Sequence, residues 1–474
     1  MRGRTVLILL ALVVGLVAFI ELYEHDLPSS EERIALEKLV LDSAAGEITA
    51  VELSWDGKDV RLERELSGVG ELEEAGDPAA ATWHLVEPMS ARADSGLVAT
   101  LIESLTTLEK NRTLQGSRPE DLGLSPPRLV ATLTSKDRQI ELSVGSEVPA
   151  GNSMIVKVAS DGEIVVVEDS IWPELTREPG DWRSRQVTDV GRESVEKVVL
   201  VQADQRLVLA RRGVEFWLET PVEDRANAER VDSLLADLTA MRVTSFADEL
   251  AESIFDMGLD PPAAEVELTA GMDGETLHLG WGSAVPDSES QHYARAEQQV
   301  FSTAADLQQY FDMSTAEWRS LELTSLETFE IDAVTVVQSG AETLTLGRDG
   351  ANWTRNEDKI SFTAVSDLLY AITGARAAEV LAESKKDLTG LPSSEAALEL
   401  LLNGEGREQR VSFLPLSDEG ARAVVSDREV VLFVGKDEFT EILAKVGQVR
   451  AASSVKTDVI EQLPPGVSDL SSDQ

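Results

Sequence analysis

Apolar and polar positions along the chain fall into blocks that recur. Three stretches carry an N-cap residue followed by apolar residues at offsets +4, +7, +8 and +11. Asp94 precedes Val98, Leu101, Ile102 and Leu105; Asn227 precedes Val231, Leu234, Leu235 and Leu238; Ser361 precedes Val365, Leu368, Leu369 and Ile372. These offsets place every apolar group on one face of a helix. Asp, Asn and Ser are the residues whose short side chains accept from the free N–H groups of a first turn. The caps stand 133 and 134 residues apart.

Each block also carries alternating, strand-like runs. Ile48-Thr49-Ala50-Val51-Glu52-Leu53 leads to Val60-Arg61-Leu62, Val198-Val199-Leu200 to Leu207-Val208-Leu209, and Val334-Thr335-Val336 to Leu344-Thr345-Leu346. Asp56-Gly57 and Ser339-Gly340 read as hairpin turns between them. Three further markers keep nearly the same period. Trp83, Trp217 and Trp353 close a strand, 134 and 136 residues apart. A turn, Asp121-Leu122-Gly123-Leu124-Ser125-Pro126-Pro127, recurs as Asp256-Met257-Gly258-Leu259-Asp260-Pro261-Pro262, with a variant around Gly390 in the third block. Glycine permits positive φ there, and the proline disfavours helix continuation. Trp182-Arg183-Ser184 returns as Trp318-Arg319-Ser320. Self-similarity at a fixed period is the signature of tandem repeats. The block predicts a few strands, one helix, more strands and a short helix near residues 171–175: an α+β, antiparallel sheet-plus-helix module.

Ahead of the repeats the pattern changes. Residues 5–20 carry no charge, and as a helix they would rise about 24 Å. Extended to Tyr23 the run approaches the thickness of a bilayer core. A cleaved signal peptide is the alternative, but Phe19-Ile20-Glu21-Leu22-Tyr23 offers no small-residue cleavage site. With Arg2 and Arg4 before it and acidic residues after it, the positive-inside rule predicts a single-pass protein of the cytoplasmic (inner) membrane, with its bulk extracytoplasmic or periplasmic. The expected divisions are a cytoplasmic stub (1–4), a transmembrane helix (5–23), a juxtamembrane helix or linker (24–46), modules at 47–192, 193–326 and 327–455, and a disordered tail (456–474). Ser29 and Glu32 fit a capping box in the linker, and residues 67–80 read as an acidic loop.

Composition narrows the chemistry. The chain has 474 residues with 42 basic against 86 acidic, a net charge of −44. That balance argues against nucleic acid or anionic lipid as the main partner, since both need clustered Lys and Arg. It suits either a salty habitat and solubility, or steering of cationic partners. With no cysteine, thiolate catalysis and Cys-based metal sites are excluded. Four histidines, His25, His84, His278 and His292, offer no convergent set of metal ligands. No Gly-x-Ser-x-Gly elbow and no phosphate-cradling loop is present. Close carboxylate pairs arise from composition alone. No catalytic, cofactor or metal residue is therefore expected, and no nucleotide. The recurring tryptophans read as core, and Arg183 and Arg319 as local caps or, alternatively, clamps for an anionic group.

The anchor, the Trp-closed strand, the capped helix, the Asp-Leu-Gly-Leu-x-Pro-Pro turn and the Trp-Arg end together resemble the bacterial domain of unknown function DUF4340. The third block departs from the pattern in its turn and lacks the Trp-Arg end, as a capping unit would. The resemblance implies no established enzymatic activity. Members often stand beside genes for an ABC-type export system like that of gliding motility, which implies a periplasmic accessory subunit. The expected function is a non-enzymatic, membrane-anchored scaffold for an ABC-type exporter, with transporter permease or substrate-binding-like subunits as partners. The alternatives are an envelope-polymer enzyme using carboxylates and a purely structural spacer.

Overall fold

The computed structural model describes residues 37–41, 48–65, 81–135, 138–148, 151–159, 162–247, 254–271, 274–288, 290–297, 299–356, 358–382, 396–417 and 419–452. Two compact units emerge, residues 1–185 and residues 186–474. The first contains one sheet and the second contains two, each of nine antiparallel strands.

In the first sheet the strands are β1 (Ile48–Trp55), β2 (Lys58–Arg64), β3 (Trp83–Glu87), β4 (Ala91–Arg92), β5 (Arg112–Thr113), β6 (Leu129–Ser135), β7 (Gln139–Val148), β8 (Ser153–Val158) and β9 (Ile164–Glu168). Their order is β4-β3-β2-β1-β6-β7-β8-β9-β5. Two four-stranded meanders thus meet at β1 and β6, and the short strand that follows the first meander's helix crosses to the far edge. At the opposite edge the chain after β9 returns. Ala93 pairs with Arg183, the Asp94 N–H donates to the Trp182 carbonyl (2.8 Å), and the Ser184 N–H donates to that of Arg92 (2.8 Å). The order is therefore palindromic, each half lending a segment to the other half's outer strand. The same order recurs in β10–β18, the strands between Val195 and Thr303, and in β19–β27, those between Ile331 and Gly435.

The first half of each sheet ends in a helix of 12 residues: α1 (Ser95–Thr106), α2 (Ala228–Thr239) and α3 (Phe362–Thr373). Asp94, Asn227 and Ser361 cap them by accepting from Leu97, Arg230 and Ala364 N–H groups. Val98, Leu101, Ile102 and Leu105, and their counterparts in the other two helices, are buried against the sheet. At about 1.5–3 kcal/mol for each such side chain removed from water, this stripe holds the helix far more firmly than its propensity does.

The Gly turn serves the sheet's other face. Gly123 and Gly258 adopt φ of +69° and +68°, which only glycine takes up without strain. A Cβ on either would run into Ser146 or Ser283 of the neighbouring strand. The turn thereby seats Leu124 against Ile155 and Ile164, and Leu259 against Met257 and Val300, in small satellite clusters.

Several expectations need correction. The fold is not a sheet-plus-helix module behind a transmembrane helix. Three nine-stranded antiparallel sheets dominate it, and helices are a minor component. Among the described residues no helix is long and apolar enough to cross a membrane. The longest, α4 (Lys436–Ala451), has 16 residues and carries charges along its length. The single-pass anchor and the inner-membrane location expected from it thus have no helix to rest on among those residues. The stretch 5–23, the capping box at Ser29, the loop 67–80, the turn around Gly390 and the tail 456–474 lie outside the described residues. Of the expected linker helix, residues 38–40 instead pair with 108–110, and Val40 and Leu41 join the first core.

The tryptophans divide. Trp83 and Trp353 are buried, whereas Trp217 is only half-buried and Phe216 takes the core position. Register explains this. Leu85 faces Ala91 and Leu218 faces Asp224, so the true counterpart of Trp83 lies one residue before Trp217. One residue along a strand flips the side chain to the other face. Trp217 sits instead under the Arg212 guanidinium (5.0 Å). We expect Trp182→Ala, at a fully buried core position, to cost about 3–5 kcal/mol in urea unfolding of the first unit. Trp217→Ala should cost about 1 kcal/mol in the second. Equal losses would contradict this assignment.

Candidate functional site

Within the second unit, the densest arrangement of buried polar groups forms where its first sheet meets its second. The outer strand β13 (Asp224–Arg225) supplies an aspartate that is 0% exposed. Both carboxylate oxygens are occupied. Oδ1 accepts from Arg428 Nε (2.8 Å) and from the Arg225 backbone N–H (2.9 Å). Oδ2 accepts from Arg319 Nε (2.8 Å) and Arg428 Nη2 (3.0 Å). Arg428, whose side chain is also 0% exposed, therefore grips Asp224 side-on with two parallel bonds, the arrangement the planar guanidinium makes best. It donates as well to the carbonyls of Ser320 (2.7 Å) and Glu322 (3.1 Å).

Each element brings its residue for a local reason. Arg319 sits on the segment that pairs with β13: Ala226 faces Arg319, the Asn227 N–H donates to the Trp318 carbonyl (2.8 Å), and the Ser320 N–H donates to that of Arg225 (2.9 Å). Three residues on, the same segment pairs with the next sheet's module, Glu322 opposite Arg376. Arg428 lies in the turn between β26 (Gly420–Val425) and β27 (Val431–Gly435) of that module. One carboxylate thus ties together an outer strand, a connecting segment and a turn from the next sheet.

A second layer surrounds it. Arg225 Nη2 donates to Asp427 (2.6 Å), and its Nε lies 3.3 Å from Glu215, an ion pair without hydrogen-bond alignment. Asp427 also accepts from Gln409 (3.0 Å), whose carbonyl oxygen accepts from the Thr324 hydroxyl. Arg407 spans Glu215 (3.6 Å) and Glu330 (3.1 Å). The four carboxylates and four guanidiniums named here balance in charge; Asp224, Arg225, Arg319 and Arg428 are buried, whereas Asp427 and Arg407 reach solvent.

The arrangement is suited to holding surfaces together. Asp224 has no lone pair directed at an open cleft. Among the described residues no group of three or more His, Asp or Glu side chains could hold a metal ion. Tyr310 is a buried phenol donating to Asp237 (2.6 Å), and burial first, then Asp237, raises its pKa, so it stays protonated. Glu163, in the first unit, has its pKa lowered by hydrogen bonds from Lys110 and Thr113.

Of the residues singled out in the sequence, the structure brings Arg319 into this cluster, with Trp318 buried beside it in the core. Arg183 is buried at the corresponding edge of the first sheet, and Arg177 lies over the Trp182 ring (5.3 Å). Gly123 and Gly258 serve their turns, and Gly390 is outside the described residues. Sequence reasoning missed Asp224, Arg225, Asp427 and Arg428. Nothing local marks them among 86 acidic and 42 basic residues.

Removing one partner from a buried ion cluster leaves the others charged and unpaired. We expect Asp224→Asn to cost about 3–5 kcal/mol in chemical unfolding of the second unit. Lys58→Ala, which breaks the exposed pair with Glu178 in the first unit, should change stability by less than about 1 kcal/mol. A neutral Asp224→Asn variant would show that the cluster is not what holds this junction.

The repeat and its geometry agree with the comparison to known families. No curated protein matches the chain. The profile of the domain of unknown function DUF4340 matches twice, over residues 83–221 and 217–393, about two-thirds of the chain. Each match begins in the middle of a sheet, at the strand carrying Trp83 or Trp217, so the family's unit is offset from the structural module. The chain belongs to the DUF4340 family.

Proposed function

We propose that the chain is a non-enzymatic scaffold whose second unit acts as a preformed binding platform, with subunits of an ABC-type export complex as its partners. The observation that carries this reading is the buried Asp224–Arg319–Arg428 cluster. It fixes two sheets against each other. A surface already held in its bound shape loses little conformational entropy on association, so more of the contact energy appears as affinity. Repeated antiparallel sheets extend that surface, as stacked repeats do in other binding proteins.

The charge of −44 bears on the partner's chemistry. An acidic surface raises the encounter rate with basic faces and suppresses wrong acidic ones. The partner face is therefore expected to be basic, and capture to weaken with salt.

The test is affinity capture of the tagged full chain from gently solubilised cells, followed by mass spectrometry. Transporter subunits should co-purify, and their yield should fall at least about tenfold with Asp224→Asn, since a loss of 1.4 kcal/mol in binding already gives that factor. Recovery of the chain alone counts against the reading.

A further inference from the structure

The repeats supply an internal comparison for the surface of the second unit. Among the described residues four aromatic side chains are exposed, Phe255, Phe329, Phe362 and Tyr370. Three of them belong to the third module. Phe362 follows the helix cap Ser361, where the other modules carry Ser95 after Asp94 and Ala228 after Asn227. Tyr370 stands nine residues past that cap, where they carry Glu103 and Ala236. Phe329 stands two residues before Ile331, which opens the third sheet's first strand as Val195 opens that of the second. Both strands begin with the same register shift, Val195 to Lys197 and Ile331 to Ala333, so Phe329 matches the exposed Glu193. The repeat needs no ring at any of these positions, yet Phe329 is 70% exposed, Phe362 58% and Tyr370 65%.

The three rings share one face. At about 100° per residue, Phe362, Ser366, Tyr370 and Thr373 of α3 fall within an arc of about 80°. Thr373 meets Thr328 through their hydroxyls (3.0 Å), which brings Phe329 to the C-terminal end of that arc. Phe362 and Tyr370 stand about 12 Å apart along the helix axis. The other flank of α3 faces α4, where Lys445 donates to Asp367 (3.2 Å) and Ala364 meets the third core. The sheet and α4 thus hold α3 from two sides, and the aromatic flank is the one turned to solvent.

Shape and charge define what fits there. A row of aromatic anchors about two turns long suits a helix laid alongside it, with apolar residues at i, i+3 or i+4, and i+7. The exposed charges next to the rings in sequence or in contact are Glu327, Asp332, Asp349 and Asp358 against Arg348 and Lys359. The whole chain carries −44. A second copy or an anionic lipid surface would therefore meet like charge, whereas a basic segment is attracted.

We propose that the face formed by Phe329, Phe362 and Tyr370 docks an amphipathic helix of a partner protein, apolar toward the rings and rich in Lys and Arg on its polar side. This names a contact face for the binding platform and rests on that reading.

The test measures binding of a labelled 18-residue Leu–Lys amphipathic peptide to the full chain by fluorescence anisotropy. Phe329→Ser, Phe362→Ser and Tyr370→Ser combined should weaken binding at least about tenfold. Val214→Ser with Phe255→Ser, two exposed apolar positions elsewhere in the unit, should leave it unchanged. Equal affinities for all three chains, or equal losses in both variants, would overturn the proposal. No exporter subunit enters this assay, so its failure is distinct from a failure of co-purification. A second measurement keeps the rest of the chain intact: a photo-crosslinking amino acid replaces Tyr370 in cells, and mass spectrometry maps the linked segment. The expected product joins Tyr370's position to a Lys- and Arg-rich amphipathic helix of another protein. Links to a second copy or to this chain's own residues, or no link at all, would contradict it.

Discussion

An antiparallel sheet cannot end without leaving a row of N–H and C=O groups on each outer strand, and those groups need partners. The structure of this chain follows from how that requirement is met. In each sheet the segment after the capped helix crosses to one edge, and in the first two the segment after the last helix returns to the other. The Trp-Arg-Ser motif is the sequence trace of the second event. Its tryptophan fills the core, its backbone covers the outer strand, and its arginine sits where the covered strand's side chains emerge. Hydrogen bonding thus dictates the repeat boundary, and hydrophobic burial fixes the segment in place.

The same segment joins the two sheets of the second unit. After covering β13, residues 321–323 continue into pairing with residues 375–377 of the next module. One connection belongs to both sheets, so neither can shift without breaking backbone bonds. The buried ions add specificity to that joint. Taking Asp224, Arg319 and Arg428 out of water is expensive, several kcal/mol for each ion. Their mutual attraction offsets this only in one geometry. Apolar side chains at the same place could stabilise the joint as well, but they would tolerate sliding. A bidentate pair that also grips two carbonyls of the connecting segment does not.

How far this was legible in the sequence depends on whether the information was local. Helix caps and stripes were legible because both act within four residues along the chain, and Asp94, Asn227 and Ser361 all cap as their spacing predicts. The Gly turn was legible because positive φ restricts residue choice at that one position. Trp217 misled because a conspicuous residue was aligned by type, whereas strand register is set by pairing, and a shift of one exchanges the faces. Asp224 was not legible at all. Asp358 occupies the equivalent place in the third sheet and is exposed. What separates them among the described residues is Arg428, 204 residues further along, which pairs with Asp224. Long-range charge pairing leaves no periodic mark, and in a chain this acidic it has no compositional mark either.

The third module departs from the other two in its last helix. Inner modules pass their exit segment on to a successor, so their last helix can be a single turn and a tryptophan can plug the core. The third module instead uses the 16 residues of α4 to bury Ile442, Val446 and Val449. Arg355 meanwhile satisfies carbonyls at the helix's C-terminal end, which would otherwise be left without partners. The loss of the Trp-Arg motif from the third copy is therefore compensation and not decay. The core volume that two tryptophans supply elsewhere is supplied here by a longer helix.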